Sequence, residues 1–415
     1  MRETKFKHTA IGTIPQEWET KTLEEVCEYI SDGDHLPPPK TKSGVPFITI
    51  SDINKSTHLI DFSQTAFVSR SYYNSIKNEK KAKLGDILYT VTGSYGIPIM
   101  VKDNIKFCFQ RHIALLRPSC CISTKYLYFA LNGDMLLKQA DDAATGVAQK
   151  TISLSSLNNI SIPFPPTVWE QNRIATALMD MDELIQDLQK LITKKQNIKS
   201  GTMQLLLSGK KRLSGFNKPW EKIQMPKLAT VSKGKGLSKA KLSPNGRYKC
   251  MLYGEIFTTY NYVMDECISH TDFFEGTLSN NGDVVLPAST TTCGRDLAKA
   301  VAINEEGILL GGDIIILRNS YGKFFANFLA PLITELYKDQ IEEVAHGVTI
   351  VHLTTKNIGK FSFFIPSDLD EQRAIAKVLT DMDDEIQMLQ TRLQKYINLK
   401  QGMMQQLLTG KIRLI

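Results

Sequence analysis

The sequence predicts an α+β protein built twice over: two mixed α/β domains joined by two long antiparallel coiled-coil helices, the halves related by a pseudo-twofold internal repeat. Three observations carry this expectation. WEQNRIATALMDMDELI at residues 169–185 returns as DEQRAIAKVLTDMDDEI at residues 370–386, 201 positions further on. The match runs without a gap from residues 165–213 to 366–414, with about half of the positions identical, more than shared composition gives two unrelated helices. Between the two copies lie short β-branched runs bounded by turn residues, the pattern of strands rather than helices.

The repeated tails read as helices. Ile174, Leu178, Met181, Ile185, Leu188 and Ile192 alternate at spacings of four and three, and Ile375, Leu379, Met382, Ile386, Leu389 and Leu393 repeat the stripe, which makes a seam for a helix pair. Thr167 with Glu170, and Asp368 with Glu371, have the spacing of a capping box at each start. Gly209 and Gly410 punctuate the ends. A helix of about 40 residues rises about 60 Å and needs a partner along its length. A homodimer zipper would supply one, but two matched helices in one chain can bury their seams on each other.

The segments ahead of the tails read differently. FITISDI at residues 47–53, GDILYTVTG at 85–93, KFCFQRHIALLRP at 106–118 and NISIPFP at 159–165 are strand-like, and GDVVLPAST, AVAINEEGILLGGDIIILRN and GKFSFFIP answer them in the second half. Short helices intervene, such as TKYLYFALNGDMLLKQA from Thr124. The expected boundaries are a first domain at 1–165, its helix and linker at 166–213, a second domain at 214–366, and its helix and tail at 367–415.

Composition narrows the function. A chain of 415 residues with a formal charge of +7 permits a polyanion partner without requiring one. The start carries no apolar signal region, the longest greasy run at residues 308–317 is short and broken by Gly and Asp, and the seven cysteines form no CxxC pair. A cytoplasmic protein with reduced thiols is expected. No GxxxxGK[ST] or GxGxxG phosphate loop, no [DNS]PP[YFW] methyltransferase clamp, no HExxH and no Ser-His-Asp order occurs, so no catalytic residue and no cofactor site is assigned to this chain. The DGDH turn at residues 32–35 lacks the rest of an oxygen cage, and a surface turn or a loop touching DNA explains it better than a metal.

The WE opening of each half, the GD strand, the TG or HG turn before the IPxP run, the EQxxI helix start and the LL[ST]GKxRL ending all occur twice. Together they resemble the specificity subunit of type I restriction-modification systems, over residues 12–415. The resemblance implies that each variable segment is a target recognition domain for one half of a split, asymmetric DNA site, and that the helices act as a ruler. It implies two methyltransferase (modification) subunits that use S-adenosylmethionine, and two restriction (motor and nuclease) subunits that use ATP and magnesium. It makes this chain a non-catalytic address; a modification-only complex with no nuclease partner is the alternative.

Base edges are read by Arg, Lys, Asn and Gln forks and by hydroxyls, and phosphates by Lys and Arg. The first domain offers Asp34, His35, Lys40 and Lys42 in one loop, then Ser94, Tyr95, Gln110, Arg111, His112, Gln149 and Lys150. The second offers a lysine-rich rail with Lys233, Lys235, Lys239 and Arg247, and a loop set of Thr290, Thr291, Thr292, Arg295, Arg318, Asn319, Tyr321, His346 and Thr349. A solvated loop side chain is the bland alternative for each.

Overall fold

The computed structural model describes residues 5–415 apart from Pro37, Ala148 and Asp265. They form two compact units, Met1–Gln189 with Thr391–Ile415, and Lys190–Gln390. Both long helices, Val168–Leu207 and Leu369–Leu407, cross from one unit to the other.

In the first unit a four-stranded antiparallel sheet is formed by β1 (Cys27–Asp32), β2 (Ile87–Thr90), β3 (Pro98–Met100) and β4 (Ile113–Pro118), in the order β3-β2-β4-β1. Strands β2 and β4 are central and read as apolar runs, ILYT and IALL, because both faces are covered. One face packs on the helix Thr124–Leu131 and the long helix; the other is closed by Ile48, Phe107 and Phe109 from a smaller sheet.

The second unit repeats the plan with one strand more. Strands β5 (Thr230–Lys233), β6 (Val263–Met264), β7 (Asp283–Pro287), β8 (Val301–Ile303) and β9 (Ile314–Arg318) are ordered β5-β9-β7-β8-β6, with β6 parallel to β8. In both units an early strand pairs antiparallel with the strand that leads into the long helix, Glu19–Thr22 with Ser161–Phe164 and Trp220–Gln224 with Ser362–Pro366; in the first unit a hairpin of Phe6–Thr9 with Gly12–Pro15 comes ahead of it. This strand pair thus stands at the foot of each long helix.

The two helices pair antiparallel inside each unit. In the second unit Lys195 binds Glu385 at 2.6 Å and Lys199 binds Asp383, so one number rises as the other falls. In the first, Lys400 binds Asp182 at 2.6 Å, the repeat mate of the Lys199 pair. Ile174 and Leu178 are buried in the first unit's core beside Leu407 and Leu408 of the other helix, and Ile375 and Leu379 in the second beside Met203, Leu206 and Leu207. Ile185, Leu188, Ile192 and Ile386 continue the seam as buried residues, and Met181, Met382, Leu389 and Leu393 are half-buried.

The capping boxes are corrected. Thr167 accepts the Glu170 amide (3.2 Å) and Asp368 the Asp370 amide (3.1 Å), so the N-cap half exists. The glutamates do not reach back. Glu170 is gripped at both carboxylate oxygens by Arg413, and Glu371 by Arg212 (2.9 and 2.6 Å). A fork-on-fork ion pair outcompetes a single bond to a backbone amide. The arginine of one repeat's RL ending therefore locks the helix start of the other repeat.

Candidate nucleic-acid interface

Backbone crossings gather the loops at one end of each sheet. Where β1 ends, Gly33 passes so close to the next loop that a Cβ would stand 2.1 Å from the Phe109 carbonyl, and its amide bonds the Ile113 carbonyl (3.2 Å). The Arg111 amide then bonds the Asp34 carbonyl (3.0 Å), the Val91 amide that of His112 (2.9 Å), and the Gly93 amide that of Lys150 (2.9 Å). Asp34, Gln110, Arg111, His112, Ser94, Gln149 and Lys150 are thereby stitched into one loop cluster, with Tyr95 next to Ser94. Lys40 and Lys42 lie exposed on and just after the strand Lys40–Thr41 of the smaller sheet, whose strand Cys108–Phe109 leads into Gln110.

The side chains there are partly organised. The His35 ring lies 2.5 Å from Asp32 and is well exposed. Burial, helped by the Arg111 charge, pulls His112 below the usual imidazole range, so it is neutral near pH 7 and can accept as well as donate. Tyr95 donates to Asp141 (2.8 Å), which raises its phenol above the usual value.

The second unit is stitched the same way. A Cβ on Gly234 would stand 2.0 Å from the Gly311 carbonyl, and the Gly234 amide bonds Ile314 (2.9 Å). The Ala288 amide bonds the Asp313 carbonyl (2.8 Å), and Ser289–Thr290 pairs with Val351–His352. Thr290, Thr291, Thr292, His346 and Thr349 fall on these loops. Thr290 and Thr292 share a hydroxyl bond (2.8 Å), Thr292 also bonds Asp296, and His346 meets Asn357 (3.0 Å). Arg295 is drawn to Asp339 (2.7 Å).

The lysine rail is only partly free. Lys233 pairs with Asp313 (3.1 Å), while Lys235, Lys239 and Arg247 are exposed. Two other lysines of the segment have surface partners, Lys241 over the Phe273 ring (3.3 Å) and Lys249 with Glu305 (2.6 Å).

Three expected members of the cluster are placed elsewhere. Arg318 ends β9, and Asp313 precedes its start, so Arg318 lies at the far end of the strand from the loops. Its guanidinium grips buried Asp283 (3.1 and 2.9 Å), as Arg117 grips Asp86 in the first unit (3.0 and 2.7 Å). Asn319 staples its own loop through Phe324 and Lys323, and Tyr321 is exposed on that loop. A guanidinium spent on a buried carboxylate is a structural group, which spacing from a strand could not disclose.

Two residues at the loop end were missed by sequence reasoning. Val147 and Val348 stand on hairpin tips with their side chains fully exposed. The GV dipeptide shared by both loops was the available signal. Among the described residues no group of three or more His, Cys, Asp or Glu could hold a metal ion, and no helix is long and apolar enough to cross a membrane.

The type I restriction modification DNA specificity domain matches this chain twice, at residues 15–200 and 217–398. The chain belongs to that family. The specificity chain is similar, at 27% identity covering 99% of it and 97% of the relative, to a Methanocaldococcus jannaschii protein assigned as the MjaX type I restriction enzyme specificity subunit. It is similar over 39% of its length, at 26% identity, to 34% of the EcoBI specificity subunit of Escherichia coli. Its fold resembles the type I system S subunit from M. genitalium, with a TM-score of 0.54 and 17% identity over 94% of this chain and 96% of that one. A structure from work on complex assembly and conformational transition of the type I R-M system gives 0.61, at 16% identity over 96% and 99%. As a specificity subunit the chain supplies DNA sequence recognition and leaves bond-making to others.

Proposed function

We propose that this specificity subunit reads a bipartite, asymmetric DNA site, one domain per half-site, with the paired helices setting the unread spacer. One observation carries the reading: the two loop clusters share a backbone frame but not a chemistry. Positions 201 apart correspond, Gly33 with Gly234 at the crossing, and around them Asp32, Asp34 and His35 are replaced by Lys233, Lys235 and Gly236. Gln110, Arg111 and His112 are likewise replaced by Gly311, Gly312 and Asp313. Heads with the same scaffold and different side chains dock alike and read differently.

The helices also dock the catalytic partners: two methyltransferase subunits, which bring S-adenosylmethionine, and two restriction subunits, which bring ATP and magnesium. Leu184, Leu191, Ile198 and Leu205 support this, because they leave a second apolar row at heptad spacing, each 38–45% exposed, on the first long helix. A cavity of about 440 Å³, lined in part by Met135, Leu136, Met404 and Leu408, adds an apolar seat along the second.

The test is expression with cognate methyltransferase subunits, then mapping of methylated adenines across a genome. Two different half-sites at one fixed separation are expected. A single continuous site, a palindrome, or methylation without sequence preference would overturn the reading.

A further inference from the structure

The hairpins that carry Val147 and Val348 are built to the same plan. Thr145 and Thr151 exchange both backbone bonds (3.0 and 2.8 Å), and His346 and His352 do the same (3.0 and 2.8 Å). The tip glycines have φ of 110° and 129°, and a Cβ would stand 2.6 Å from the Gln149 carbonyl on Gly146 and 1.9 Å from the Ile350 carbonyl on Gly347. Only glycine fits either position. Each hairpin is strapped to the sheet, Ile152 to Val91 (2.8 Å) and Leu353 to Ala288 (2.9 Å), beside the loops that carry Gln110, Arg111 and His112, or Asp313.

The valines have no such internal reason. Their side chains have relative exposures of 107% and 100%, so they add nothing to the core. Yet between ATGVAQKT at 144–151 and AHGVTIVH at 345–352 only Ala, Gly and Val are kept while every other position has changed. A single exposed valine needs no explanation. The same one, retained twice beyond a hairpin base closed by two backbone bonds and inside otherwise diverged loops, points to something outside the fold that it touches.

We infer that Val147 and Val348 are apolar base contacts, one per head, pressed into a groove of duplex DNA next to the polar reading loops. The inference rests on the address reading above and adds to it a contact that carries no charge. The major groove offers one apolar group, the thymine methyl, and an exposed β-branched side chain is a fitting partner for it. Such a contact releases no counterions, which separates it from a phosphate contact by a lysine.

The experiment uses the full chain in complex with its methyltransferase subunits, and a duplex of the mapped sequence against a scrambled one, titrated at several salt concentrations. Val147→Ala and Val348→Ala should each weaken the specific complex by about tenfold and leave the slope of log affinity against log salt unchanged. Lys150→Gln should lower that slope by about one. Because both side chains are fully exposed, the melting temperature should not move. Unchanged affinity in both valine variants overturns the contact while the address reading stands, and a changed slope overturns its apolar nature. A wild-type complex with no preference between duplexes sinks both.

Discussion

At the scale of single residues, the two Arg–Glu locks make the sharpest contrast in the molecule. Arg413 and Glu170 are 9% and 1% exposed, and the Trp18 indole nitrogen beside them has no partner. In the second unit Trp220 also donates to Glu371 (3.3 Å), so that carboxylate keeps one donor if its arginine is lost. Arg413→Ala strands a buried charge and should cost about 3–5 kcal/mol, with Arg212→Ala costing clearly less. Denaturant unfolding of both variants measures this, and equal losses would contradict it. Neither lock was legible in the sequence: Glu170 and Arg413 are 243 positions apart, and the local capping motif pointed each glutamate at the wrong partner.

At the scale of elements, the helices were the most legible part. Their period is a local property and their duplication is plain once the chain is aligned with itself, and two matched seams in one chain allow the antiparallel pairing that the ion pairs show. The strands were legible as runs, but the exchange of helix ends was not, because nothing local says that Leu407 and Leu408 complete the first unit's core. Pairing also gives the ruler proposal its test. Gln189 and Gln390 are repeat mates where the two units divide. Inserting one heptad after each preserves the seam and lengthens the pair by about 10 Å. The mapped spacer should grow by about three base pairs at 3.4 Å each, with both half-sites unchanged; an unchanged spacer would contradict the ruler.

At the scale of the whole molecule, the chain uses one frame twice, with one strand more in the second sheet, and carries different side chains on the matching loops. The Gly33 and Gly234 crossings, the Arg117 and Arg318 clamps and the hairpin glycines Gly146 and Gly347 are scaffold, repeated because the fold demands them. The gathering of loops at one end of each sheet was legible where segments could be matched by position, as for the loop that carries Gln110, Arg111 and His112. The candidate site was not legible where a charged residue is spent inward, as for Arg318. Sequence search looks for polar chemistry in loops, while burial and ion pairing decide which of those groups are free.

The most direct measurement is therefore a methylation map made with residues 18–165 exchanged for the corresponding segment of another specificity subunit, beside the map of the parent. One half-site should change to that of the donor while the other half and the spacer stay as they were. If both halves change together, or neither does, the two domains do not read independently and the account fails.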